Sequence, residues 1–303
     1  MKYLILAIFV VACASPYRLF AATVAITMDN PNTYSWPLYS VDERDQEIRQ
    51  ALKRASIKIG IFAAGFEVDS TEGKLLLGNW DADGHIIGNH TYSHKSYNSS
   101  SWSFERYSND ILKNEPIISG FKNFKKYFRF VMLKEGDTAD KRDRLRAFFE
   151  QHGYRNVPVT IDASDWYIDL RLRQKLEKDP KADLKRYRDY YLAHIWDRAQ
   201  FYDQLAREVT GREVKHTLLI HHNLLNALFL GDLINMFKAK GWSVVDFESV
   251  LNDPVLSVQT TVLPAGESII WSMAKATGKH ENELRYPGEN DSYEKPAMDR
   301  LGL

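Results

Sequence analysis

Two histidines four residues apart, His90 and His94, close the stretch IIGNHTYSH at residues 86–94. Imidazoles at that spacing can lie on one face of a helix and share a metal ion. With nine histidines in 303 residues, such a pair also arises by chance. Its meaning depends on which other polar residues occupy equivalent places in the fold. Those places are the ends of short apolar runs. Asp29 and Asn30 follow TVAITM (23–28), Asn89 closes HIIGN (85–89) with His90 next, Arg129 sits within YFRF (127–130), DASDW (162–166) follows VPVTI (157–161), and His221 and His222 follow HTLLI (216–220). Carboxylate, amide, imidazole and guanidinium on one rim are the materials of metal-assisted or acid–base hydrolysis.

The elements that must position them read as strands alternating with helices. KIGIFAA (58–64) and WSVVD (242–246) complete seven apolar runs. Amphipathic stretches such as residues 42–55, 137–153 and 224–241 lie between them, the last two stopping at Gly153 and Gly241. Alternation of this kind implies parallel pairing with right-handed crossovers. The expectation is an α/β fold, an irregular seven-stranded (β/α) barrel, with its chemistry at the C-terminal ends of the strands. Residues 167–214 predict a helical insertion before strand six. The barrel is expected over 23–262, and residues 263–303 form a C-terminal extension with no further strand pattern.

The ordered series TMDN, HTYSH, RFVMLKEG, DASDW and LLIHH, spread over residues 24–247, resembles the polysaccharide deacetylases of carbohydrate esterase family four. The resemblance implies a divalent metal, most often Zn with Co, Mn or Ni as substitutes, and hydrolysis of an acetyl group on a sugar. Carried over residue by residue, it makes Asp29 the catalytic base, His90 and His94 metal ligands, and Arg129 the group that orients the base. It makes His221 the general acid with Asp165 as partner, and has Trp166 and Leu219 line the acetyl pocket. Two positions depart from the family pattern. Asn30 stands where a second aspartate usually binds metal; its amide oxygen can coordinate but carries no charge. Val131 and Met132 replace the usual proline and aromatic residue.

Composition bounds the reading. Forty basic and forty acidic residues cancel, which argues against a nucleic-acid protein. Lys2 and the apolar run 3–12 read as a signal peptide over residues 1–14, too short for a membrane anchor. Ala12, Cys13 and Ala14 offer cleavage before Ser15; alternatively VVAC (10–13) is a lipoprotein box, the signal ends at residue 12, and Cys13, the only cysteine, carries lipid. Either route exports the chain to the periplasm or beyond, with no transmembrane segment after processing. The expected partner is an acetylated glycan, and the oligomeric state is open. The competing expectation is a catalytically impaired glycan-binding protein on the same scaffold, which Asn30 favours.

Overall fold

From Val24 to Asp29 every residue is buried, as expected for a parallel strand covered on both faces. This strand, β1 (Thr23–Asp29), is the axis of the computed structural model, which describes residues 22–285, 287–288 and 290–303. The proposed signal segment and Cys13 lie outside the described residues. Along the chain follow α1 (Val41–Ala55), β2 (Gly60–Ala63), α2 (Gly65–Val68), α3 (Thr71–Ala82), β3 (Ile86–Asn89), α4 (Phe104–Ile118), β4 (Phe124–Phe128), β5 (Lys134–Gly136), α5 (Ala139–His152) and β6 (Arg155–Asn156). Then come α6 (Asp165–Lys178), α7 (Leu184–Thr210), β7 (Lys215–His221), α8 (Leu224–Ala239), β8 (Ser243–Val244), β9 (Ala265–Gly266), α9 (Ile269–Thr277) and α10 (Lys295–Leu301). Local chemistry sets several boundaries. Ser40 and Glu43 form a reciprocal capping box at the start of α1, and Thr138 and left-handed Gly153 bound α5.

The main sheet runs β6-β4-β3-β2-β1-β7, with β8 beside the first residues of β1, and all its pairings are parallel. Residues 155–161 join its two ends: Asn156 pairs with Phe128, while Ile161 forms a single parallel bridge to Leu218. The sheet therefore curls into the expected barrel-like form with helices around it. The fifth apolar run is not a regular strand. Pro158 has no N–H for a ladder, and Thr160 and Thr217 bond each other's backbones through their hydroxyls instead. The fourth strand also ends earlier than its apolar run suggests, so Arg129 lies one residue beyond β4, its N–H bonded to the carbonyl of Asn89.

The helical insertion is α6 and α7, both packed into the main core. The extension differs from its expectation. β9 pairs antiparallel with β5, and α9 and α10 follow. Two residues of strand, joined across 130 positions of sequence, are too short to show as a periodic pattern. Among the described residues no helix is long and apolar enough to cross a membrane.

Close packing of the strands leaves little slack beneath the rim. A Cβ on Gly88 would stand 2.6 Å from the Phe62 ring and 3.1 Å from the Tyr127 carbonyl. Gly88→Ala should therefore cost about 1–3 kcal/mol through overpacking, read as a lowered urea midpoint. An unchanged midpoint would show that β2, β3 and β4 can separate freely.

Candidate active site

The register of β1 on β7 pairs Asp29 with His221, which sets two chemically capable strand ends side by side. Parallel pairing of β2 with both β1 and β3 brings Asn89, and then His90, to the same rim. Arg129 follows β4 onto it. Beneath this rim is a cavity of about 270 Å³ lined by Asp29, Asn30, His90, His94, His221, Trp166 and Leu219, with Phe130, Met132, Leu133, Asp162, Ala163 and Gly288 completing the wall. Of the sequence-predicted residues only Arg129 and Asp165 lie behind the lining, each in contact with a residue that forms it.

Asp29 is 2 % exposed. Burial pushes its carboxyl up, and the Arg129 guanidinium, Nη1 to Oδ1 3.6 Å, opposes that rise by favouring the ionised form. Arg129 is held from several sides: Nε–H donates to the Val157 carbonyl at 2.9 Å, Nη2–H to Thr27 Oγ1 at 3.1 Å, and the guanidinium stacks 4.6 Å over Phe62. Its own carbonyl accepts a 2.8 Å bond from His90 Nδ1. A carbonyl can only accept, so Nδ1 carries the proton and Nε2 presents its lone pair to the cavity, 3.8 Å from Asp29 Oδ2.

His94 reaches His90 by a loop rather than a helix. The chain after β3 turns through left-handed Thr91 (φ 65°) and His94 (φ 51°). Thr91 N–H bonds Asn89 Oδ1, and His94 N–H bonds Thr91 Oγ1. These side-chain bonds offset the strain of the two residues, and the two imidazole centroids end 5.0 Å apart. Burial lowers both rings to about 3, so each is neutral at physiological pH, the form that binds metals. Asn30, also left-handed (φ 59°), has a buried Oδ1 with no hydrogen-bond partner. Two neutral imidazoles and an orphaned amide oxygen on one cavity wall fit a divalent ion, with one charge fewer than an aspartate would supply.

Next to Asp29 on β7, His221 Nδ1 is 2.7 Å from Asp165 Oδ1, and its backbone N–H bonds Oδ2 at 2.9 Å. Asn223 and Asn226 donate to the same Oδ2. Burial alone would lower the imidazole, but the Asp165 carboxylate outweighs it and, with Asp29 and Asp162 adding to the effect, holds His221 at about 9. His221 is thus a cation at neutral pH.

Three residues of this region have no role in the sequence reading. Glu67, just past β2, has its carboxyl raised to about 8 by burial and one carboxylate oxygen buried without a partner; the strand-end rule applied to the second strand points to it. Asp162, in the DASDW stretch, lines the cavity. Gly288 reaches it from the extension, for which no local pattern exists. Among the described residues, the cluster of three His and carboxylate groups close enough to hold an ion lies elsewhere, at Glu208, His280 and Glu283. Glu208 and Glu283 are exposed there, and His280 already pairs with Glu283.

A family model described as polysaccharide deacetylase matches residues 21–157. A peptidoglycan-N-acetylglucosamine deacetylase of Bacillus cereus is 27% identical over 156 residues, 51% of this chain and 50% of its own; the chain spans about half the length of that curated relative. Among solved structures, a polysaccharide deacetylase from Bacillus cereus aligns with a TM-score of 0.53 and 17% identity over 80% of this chain and 96% of its own. A CE4 family pseudoenzyme from Bacillus anthracis aligns at 0.52 and 16% identity over 77% and 66%. At these identities the structures speak to the fold.

The pairing of His221 with Asp165 generates a direct test. In Asp165→Asn, the His221 pKa followed by NMR should fall from about 9 to the ordinary imidazole value or below it. The same linkage fixes a stability effect. The pair's contribution is complete below about pH 6.5 and is lost as pH rises through about 9. An unmoved titration in a folded variant would separate the two residues.

Proposed function

We propose that this chain, whose residues 21–157 match the polysaccharide deacetylase family model, is a metal-dependent hydrolase of that family. It removes acetyl groups from N-acetylated sugars of a glycan in the cell envelope or outside the cell, to which its N-terminal apolar run exports it. The observation that carries this reading is two backed groups at one cavity: Asp29 with Arg129 behind it, and His221 with Asp165 behind it.

In this reading His90, His94 and Asn30 hold the divalent ion, zinc or a substitute such as cobalt. When bound, the ion polarises the acetyl carbonyl and acidifies water beside it. Asp29, kept ionised by Arg129, takes a proton from the attacking water as its oxygen bonds to the carbonyl carbon. The carbon–nitrogen bond then breaks, and His221, charged at neutral pH, gives its proton to the departing nitrogen. The products are acetate and the free amine. Trp166 and Leu219 line the space for the methyl group at no polar cost.

Acetate release from a panel of acetylated glycans tests the proposal. Activity on at least one should vanish with chelator and return with added zinc or cobalt. His221→Ala should lower kcat by about 10²–10⁴-fold. The rate should fall on both sides of a pH optimum, and Asp165→Asn should move the alkaline limb to lower pH. No acetate from any glycan under any metal would reject the hydrolase.

Metal content is a separate expectation. His90→Ala and His94→Ala should each lose the bound ion while keeping the far-ultraviolet dichroism of the parent, because both rings, although buried or half-buried, lie beyond the end of β3 and take no part in a helix or strand ladder. Asn30→Asp should bind the ion more tightly, since it adds a charged oxygen. Identical metal titrations for parent and Asn30→Asp would remove position 30 from the ligand set.

A further inference from the structure

A guanidinium and a carboxylate buried to 0 % exposure are expensive unless they satisfy each other. Arg198, in the middle of α7, and Glu294, just before α10, are such a pair, Nη2 to Oε1 3.0 Å, and neither contributes to the barrel sheet. His194, one turn before Arg198, places Nδ1 3.4 Å from the same carboxylate oxygen. Its Nε2 accepts the N–H of Ser164 at 3.1 Å. The buried pair is thus connected, through one imidazole, to the residue that precedes Asp165 and Trp166. Further along, Arg171 bonds Asp299, and Met298 is fully buried. The extension is clamped onto the helical insertion.

Upstream of that clamp, Gly288 enters the cavity wall. Its carbonyl accepts the Trp166 indole N–H at 2.7 Å and the Ser164 hydroxyl at 2.8 Å, and its N–H donates to Asp162 Oδ2 at 2.6 Å. A Cβ there would lie 2.3 Å from Asp162 Oδ1 and 2.8 Å from the Ala163 carbonyl, so only glycine permits this approach. The indole of Trp166 faces the cavity, and its single polar atom is fixed by the extension rather than by the barrel. Ser164 is bonded both by Gly288 and by the His194 that touches Glu294. The clamp and the wall therefore share residues.

We infer that the C-terminal extension is the acyl-selecting wall of the pocket: Gly288 locks Trp166, and the buried Arg198–Glu294 pair keeps Gly288 in place. The role of the pocket rests on the deacetylase reading; the lock itself does not. With Trp166 fixed, the space beside Leu219 admits an acetyl group and rejects longer acyl chains. With the clamp broken, Trp166 turns freely and the discrimination is lost.

Acyl preference in binding tests this without turnover. Calorimetric affinities for oligomers of N-acetyl- and N-butyryl-glucosamine are compared in an Asp29→Asn background, alongside limited proteolysis of the extension. The parent should favour acetyl by about 10-fold or more, the scale expected when extra methylenes meet a closed apolar pocket. Arg198→Met and Glu294→Gln each remove one side of the buried ion pair. Each should expose the extension to protease and reduce the preference to less than about 3-fold, still on the pocket scale used above. The double replacement Arg198→Met with Glu294→Met removes both charges and should restore protection and preference together, which separates loss of the clamp from general misfolding. Release of the extension with an unchanged preference would overturn the inference, as would an extension that stays protected in both single variants. Acyl preference without acetate release from the unsubstituted protein would sink the hydrolase reading and leave this one standing.

Discussion

A guanidinium at 1 % exposure dictates much of how this barrel is assembled. Arg129 cannot shed its proton, so burial obliges the surrounding chain to supply acceptors. It finds them on β1 through Thr27 and on the irregular segment through Val157, while Asp29 of β1 supplies an opposite charge at 3.6 Å and Phe62 of β2 offers its ring face. Three parts of the barrel are tied to one side chain. The same residue's carbonyl fixes the tautomer of His90. Orientation of a carboxylate and presentation of an imidazole lone pair therefore have one common cause. Replacing such a buried cation with an apolar group would leave the His221 cation as the main charge opposing the burial of Asp29.

The two halves of the site use burial in opposite ways. On the Arg129 side, burial keeps His90 and His94 neutral, which suits ligands. On the Asp165 side, the carboxylate overcomes burial and keeps His221 charged, which suits a proton donor. Imidazoles within one cavity are thus separated in protonation state by what stands behind each of them: a carbonyl behind His90, an anion behind His221. That contrast in backing groups is the pattern by which acid and ligand roles are told apart.

Much of this was legible in the sequence for a geometric reason. Parallel strands end at one rim, so polar residues closing apolar runs converge whatever the loops do. Asp29, His90 and His221 follow from that rule alone. His94 follows from its spacing, although the spacing suggests a helix and the chain uses a left-handed turn braced by Asn89 and Thr91. What escaped has no local signature. The fifth run has the composition of a strand, yet Pro158 denies it a ladder and threonine hydroxyls take over. Gly288 is recognisable only once residues 120 positions apart are folded together. The family match stops at residue 157, so Asp165, Trp166, Leu219 and His221 rest on the motif order and on geometry rather than on that match.

The exchange of aspartate for Asn30 has a consequence on each side of the proposed chemistry. A neutral oxygen anchors a divalent ion less firmly than a carboxylate does. It also removes a like charge from the residue next to Asp29, and adjacent carboxylates raise one another's pKa. Asp29 already contends with burial that favours its protonated form. A second aspartate at position 30 would add to that burden whenever the ion was absent. With asparagine there, ionised Asp29 is supported by Arg129 and by the His221 cation when no ion is bound. The orphaned, buried Oδ1 of Asn30 shows that the amide is not spent on the protein's own hydrogen bonds. That unpartnered oxygen lines the same cavity as the two neutral imidazoles, so the charge of the wall they share is set by Asp29 and His221 rather than by position 30.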